Sequence, residues 1–229
     1  YHLFNTELMF FVQEFLSAKP MKVVKLESAL KYLSDFWSDG QIIRIGDSDS
    51  SALFSRVLVA DLLPQIKAGL SKSTNHSDSG VLSLTNNNIN CYLKYGPLGM
   101  SPLFGHGHYD FLSVILLDNS GKLITSDAQT YLYNCPERKG FRSSSYHSMP
   151  SVGDDDIKQI SGFSWEKNST GELLEQVSSW RTAVYKRADG VEIKRHIKLV
   201  SDLVLVVDEI VCNNSDKTLK TQWILENTS

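Results

Sequence analysis

The strongest constraint on the fold is a change of hydrophobic period about a third of the way along the chain. Over residues 1–70, apolar side chains recur at helical spacing. Leu3, Phe4, Leu8, Phe11, Val12, Phe15 and Leu16 form one stripe, and Val23, Leu26, Leu30, Leu33 and Trp37 form another. Pro20 separates the two helices, Asp39-Gly40 ends the second, and a third is expected over about Ala52–Leu70. Residues 71–80, SKSTNHSDSG, are small and polar and read as a linker or long surface loop. Beyond them the period becomes two. Strands are expected at Val81–Leu84, Asn90–Tyr95, Phe111–Leu117, Lys122–Ser126, Thr182–Lys186, Val191–Leu199, Leu203–Val211 and Leu219–Leu225. Asp118-Asn119-Ser120-Gly121 and Asp189-Gly190 supply hairpin turns, and Asn86-Asn87-Asn88 reads as a turn between two strands. The expected class is α+β, with a helical segment over residues 1–75 and an antiparallel β-sandwich over 76–229.

Composition narrows the partners. A net charge of -3 gives no polybasic signal for nucleic acid, although a local basic patch would still suit an anionic glycan. No apolar run approaches the roughly 18 residues of a membrane-spanning helix. Cys91, Cys135 and Cys212 show no paired spacing, so a thiolate metal site is not expected, and one bridge plus a free thiol stays open. The chain opens at Tyr1 inside a helical pattern and closes just after a strand-like run, so both ends read as cut and a fragment is expected.

The densest chemistry lies in Gly105-His106-Gly107-His108-Tyr109-Asp110. In a strand, His106 and His108 would share one face, which makes half of a metal site. Pairing of Phe111–Leu117 with Lys122–Ser126 would return Asp127 close to Asp110 and His108, and His147 follows in a polar segment, so that three of His106, His108, Asp127 and His147 could be ligands. Nitrogen and oxygen donors of this kind suit zinc. Two histidines at this spacing also arise by chance as surface or hydrogen-bonded core residues. Gly105 and Gly107 beside them remove side chains and allow another segment to approach closely.

The stretch HGHYDFLSVILLDNSGKLITSD, residues 106–127, resembles the core signature of the heparinase II/III-like family. The continuation is similar: Tyr131-Leu132-Tyr133, then Arg142 through His147, Val152-Gly153-Asp154 and Gln159 through Phe163. Upstream, Ile45-Gly46-Asp47-Ser48-Asp49 resembles a family loop. Tyr1-His2 resembles a tyrosine-histidine pair on a toroid helix. The resemblance implies the end of an α/α-toroid followed by the β-sandwich, with the active site between the two. It implies a polysaccharide lyase that cleaves acidic, uronate-containing polymers by β-elimination. His106 and Tyr1 would be catalytic. His108, Asp127 and His147 would bind one structural zinc ion per chain. A periplasmic or secreted setting follows from the usual substrates.

The chemistry explains these requirements. The proton at C5 of a uronate is weakly acidic, and neutralising the adjacent carboxylate stabilises the charge that develops on its removal. A Tyr or His removes that proton, and an acid protonates the departing C4 oxygen. The family's carboxylate-neutralising Asn and His lie upstream of Tyr1, so the fragment alone is expected to be inactive. Two other readings remain: a metal-stabilised, non-catalytic glycan-binding or scaffold module, and an enzyme that tailors surface polysaccharide.

Several smaller features carry weaker expectations. Arg142 either contacts an acidic sugar or supports the metal loop, against an ordinary surface ion pair. Asp47 and Asp49 read mainly as caps for the helix beginning at Ala52. Asp154-Asp155-Asp156 lacks the spacing of a calcium loop and reads as a solvated turn. His76 and His196 read as structural or exposed. Of Trp37, Trp165, Trp180 and Trp223, at most one is expected to be a sugar platform, because core packing is the commoner role.

Overall fold

The computed structural model describes residues 6, 8, 9, 11, 12, 26–38, 41–48, 73–130, 132–174, 178–213 and 216–226. The chain divides into two compact units. One comprises residues 1–43 and 48–71, the other residues 44–47 and 72–229. In the first, the helix Leu26–Asp35 is followed by a small hairpin of β1 (Trp37–Ser38) and β2 (Gln41–Ile42). Leu33 and Ala29 are buried, as the helical stripe predicts. Trp37, expected on the helix, instead pairs with Ile42 in the hairpin. The helix expected over 52–70 and the start of the first helix lie outside the described residues.

The second unit is the β-sandwich. Its five-stranded antiparallel sheet runs in order through β3 (Thr74–His76), β4 (Val81–Thr85), β5 (Ile89–Lys94), β6 (Val114–Asp118) and β7 (Leu123–Thr125). Residues 74–76, expected to be linker, form its edge strand because they pair in register with Val81–Ser83. Asp118 builds the β6–β7 turn: its carboxylate accepts hydrogen bonds from the amides of Ser120 and Lys122, and Gly121 takes the left-handed φ of 88° that closes it. The side chain of Asn86 plays the same part before β5, accepting from the amides of Asn88 and Ile89.

The four-stranded sheet comprises β11 (Glu172–Leu173), β12 (Arg181–Lys186), β13 (Glu192–Val200) and β14 (Leu203–Val211). Leu82, Leu84, Cys91, Leu93, Val114 and Leu116 from the first sheet share one core with Ala183, Tyr185, Ile193 and Ile197 from the second. Phe111 and Tyr185 stack within it, with ring centroids 4.0 Å apart. Arg195 is buried on the inward face of β13. Asp208 neutralises it at 2.7 Å, and it donates to the carbonyls of Leu112 and Ser148. It therefore anchors the segment that carries His147 to the second sheet. Two short antiparallel pairs complete the unit: β8 (Pro150–Val152) with β15 (Leu219–Thr221), and β9 (Gln159–Ser161) with β10 (Ser164–Trp165).

Candidate functional site

The histidine pair does not lie in a strand, and the strand expected from Phe111 starts later. Segment 105–110 is turn and irregular backbone, and β6 begins only at Val114. Leu112, just before it, takes a left-handed φ of 62°. A Cβ on Gly107 would collide with the carbonyl of Leu98, so only glycine lets these two backbones meet there. The histidines nonetheless converge, because Asp47 reaches in from the preceding loop.

Asp47 is buried and uses both oxygens. Oδ1 accepts from His108 Nε2 at 2.8 Å and from Arg138 Nη1 at 2.9 Å. Oδ2 accepts from His106 Nδ1 at 2.9 Å and from Arg138 Nη2 at 2.6 Å. Burial alone would raise its pKa, but His108, Arg138 and His106 together hold it well below the usual carboxylate range. The expectation that Asp47 caps a helix is therefore corrected: its carboxylate is engaged by two histidines and a buried arginine. Asp49 lies outside the described residues.

His108, Asp127 and His147 form a buried cluster whose ligand atoms all lie within 4.8 Å of one another. The β6–β7 hairpin returns Asp127 to this point, and the 3-10 turn Ser144–Tyr146 delivers His147. Two buried ring nitrogens in the cluster, His108 Nδ1 and His147 Nε2, have no hydrogen-bond partner among the described residues. With Nε2–H donating to Asp47, His108 Nδ1 carries a lone pair. That carboxylate–histidine arrangement commonly stands behind a metal ligand. Orphaned buried nitrogens beside a buried carboxylate fit a metal ion, and two imidazoles with one carboxylate are a donor set that zinc accepts. His147 Nδ1 lies 3.1 Å from Asp127 Oδ2. Burial opposes charge on both, yet their mutual attraction raises His147 above the ordinary imidazole value and lowers Asp127 below the carboxylate value.

His106 differs from its neighbour. Its side chain is 48% exposed, against 0% for His108, and its ring meets Tyr133 edge-on at 5.8 Å. With Nδ1–H donating to Asp47, its proton-accepting lone pair is on Nε2.

Arg142 is fully buried, which corrects its expected role as a sugar contact. It donates to the carbonyls of Gly107, Ser161 and Gly162 and stacks over Trp165. Burial, with Arg138 close by, pulls its guanidinium down to about 10. It braces the histidine loop against β9. The aspartate run also differs from a solvated turn. Asp156 accepts from Tyr109 at 2.5 Å and from Tyr185 at 3.0 Å, and Asp155 accepts from the Ser144 amide. Tyr1 lies outside the described residues. Arg138 was missed by sequence reasoning, since an arginine in a polar segment carries no spacing signal. Asp47 was visible only as part of the Gly46-Asp47 loop.

The family model for the C-terminal domain of heparinase II/III-like proteins matches residues 68–228. The chain belongs to this family, which is related to polysaccharide lyases, and the antiparallel sandwich agrees with it. A search of curated proteins returns no match. No helix among the described residues is long and apolar enough to cross a membrane.

Proposed function

We propose that this chain is part of a polysaccharide lyase acting on an acidic, uronate-containing polymer by β-elimination. The observation that carries the reading is the pairing of a half-exposed histidine with a buried one through a single carboxylate: Asp47 accepts from both His106 and His108. In this reading His106 is a catalytic residue. Asp47 fixes its ring and its tautomer, so that Nε2 accepts a proton from the sugar or returns one to the departing C4 oxygen. Tyr1 is the proposed second proton-transfer group, on the resemblance alone. His108, Asp127 and His147 would hold one zinc ion, whose part is to fix the loops that present His106. A periplasmic or secreted setting suits such a polymer.

The test follows the product. The protein carrying this chain is incubated with alginate, heparan-type and glucuronate polymers, and ultraviolet absorbance reports the new C4–C5 double bond. The expected result is absorbance with at least one polymer, abolished in His106→Ala. Cleavage without that absorbance would replace elimination with hydrolysis, and binding without cleavage would leave a glycan-binding module.

A further inference from the structure

The four-stranded sheet has a second face, turned away from the core. Alternate residues of β13 point to opposite sides: Ile193, Arg195 and Ile197 point inward, and Lys194, His196 and Lys198 outward. Register across the sheet sets Thr182 beside His196 and Val207, and Lys194 beside Glu209. With Trp180, these residues line a cleft of about 510 Å³, within the size range of small-ligand sites. Its position separates it from the histidine cluster. Inward-pointing Arg195 bonds to the Ser148 carbonyl beside His147, while the next residue, His196, lines the cleft on the opposite face.

We propose that this cleft binds a uronic-acid unit of an acidic glycan, as a second saccharide site remote from His106. A pyranose presents an apolar C–H face and a rim of hydroxyls. The Trp180 indole offers a flat apolar surface for the former. The hydroxyls meet polar groups already held in place: Lys194 Nζ bonds to Glu209 at 2.9 Å, and Thr182 Oγ1 lies 2.8 Å from His196 Nδ1. Groups fixed before binding lose little further freedom when the ligand arrives. The acidic character of the ligand follows from Lys198. Its ammonium lies 5.9 Å from the Trp180 ring centroid, and it has no carboxylate in ion-pair range among the described residues. A uronate carboxylate completes that charge while its ring packs on the indole. Trp37 and Trp165 are buried and Arg195 packs over Trp223, whereas Trp180 alone of the four tryptophans lines this cleft. The proposal does not depend on turnover at His106.

The test reads the indole N–H of Trp180 by nuclear magnetic resonance, identified by its loss in Trp180→Phe. The full chain is titrated with mannuronate, guluronate and glucuronate tetrasaccharides and with cellotetraose as the neutral counterpart. At least one acidic tetrasaccharide should shift this signal saturably, with Trp180→Ala weakening binding roughly tenfold. Lys198→Ala, a surface change that leaves the fold intact, should remove the preference for acidic over neutral sugar. His106→Ala should leave the Trp180 shift unchanged. No shift with any acidic tetrasaccharide, shifts confined to the histidine loop, or an equal response to cellotetraose would each overturn the proposal.

Discussion

The two sheets of the sandwich bury their strands differently. In the five-stranded sheet, four successive residues of β4 and four of β6 are buried, so both faces are covered. In the four-stranded sheet, β13 and β14 alternate along most of their length, and successive buried residues occur only at Ala183–Tyr185 of β12. The first pattern is that of a sheet inside the molecule, and the second that of a sheet with one wet face. The chemistry divides the same way. The buried histidine cluster grows from irregular segments between β5 and β6, after β7 and before β8, whereas the Trp180 cleft grows from regular strand register. Where both faces are covered, function has to come from the loops. Where one face is open, the strands themselves can carry it.

The largest effect is expected at Asp47. Asp47→Asn leaves the guanidinium of Arg138 buried without its counter-charge, a change that costs roughly 3–5 kcal/mol in stability. The same variant should weaken metal affinity about 10–100-fold, because a neutral amide replaces the carboxylate that His108 Nε2–H donates to. Denaturant titration and metal competition measure the two losses. A loss under about 1 kcal/mol would show that the network is not the keystone of these loops.

A pair of apolar truncations sharpens the contrast between the sheets. Leu93→Ala, in the shared core, should cost about 2–5 kcal/mol. Val207→Ala, at a residue 52% exposed on β14, should stay within about 0.5 kcal/mol. Equal losses from urea unfolding would mean that the outer face is not open.

A smaller effect separates the regions by acid. Burial pushes Asp189 up, but Arg187 and Lys217 prevail and hold it well below its ordinary value of 3.8. A carboxylate depressed in the folded state adds stability above its unfolded pKa and loses it as pH falls through the folded one. Thermal stability should therefore drop below about pH 4, and less so in Asp189→Asn. The hairpin contribution should shrink in 1 M salt, since Asp189 is partly exposed, while the buried Asp47 contribution should persist. Identical pH profiles for wild type and Asp189→Asn would remove this pair from the account.

Much of the sandwich was legible because period-two patterning reports burial directly. Leu203–Val211 appears as read, and both turn signals fall where glycine adopts positive φ. Phe111–Ser113 were read as the start of a strand because they continue the apolar run, yet β6 begins only at Val114. The backbone there follows the close approach at Gly107 and the buried Arg142, which depend on segments far away in the chain. Residues 74–76 were misread for a related reason: polar side chains suit a loop, but an edge strand needs only backbone partners. Donor types and the hairpin return left four candidates, His106, His108, Asp127 and His147, and the family resemblance selected the three that the structure brings together. Asp47 and Arg138 were not legible, since a charge pair closing over 91 positions leaves no local pattern.

Metal content decides whether His108, Asp127 and His147 are a metal site. The chain and its His108→Ala variant are prepared without chelator and analysed by elemental mass spectrometry. About one zinc ion per folded chain is expected, lost in the variant. A folded wild-type chain carrying no metal would contradict it and return His108, Asp127 and His147 to an ordinary buried hydrogen-bonding cluster.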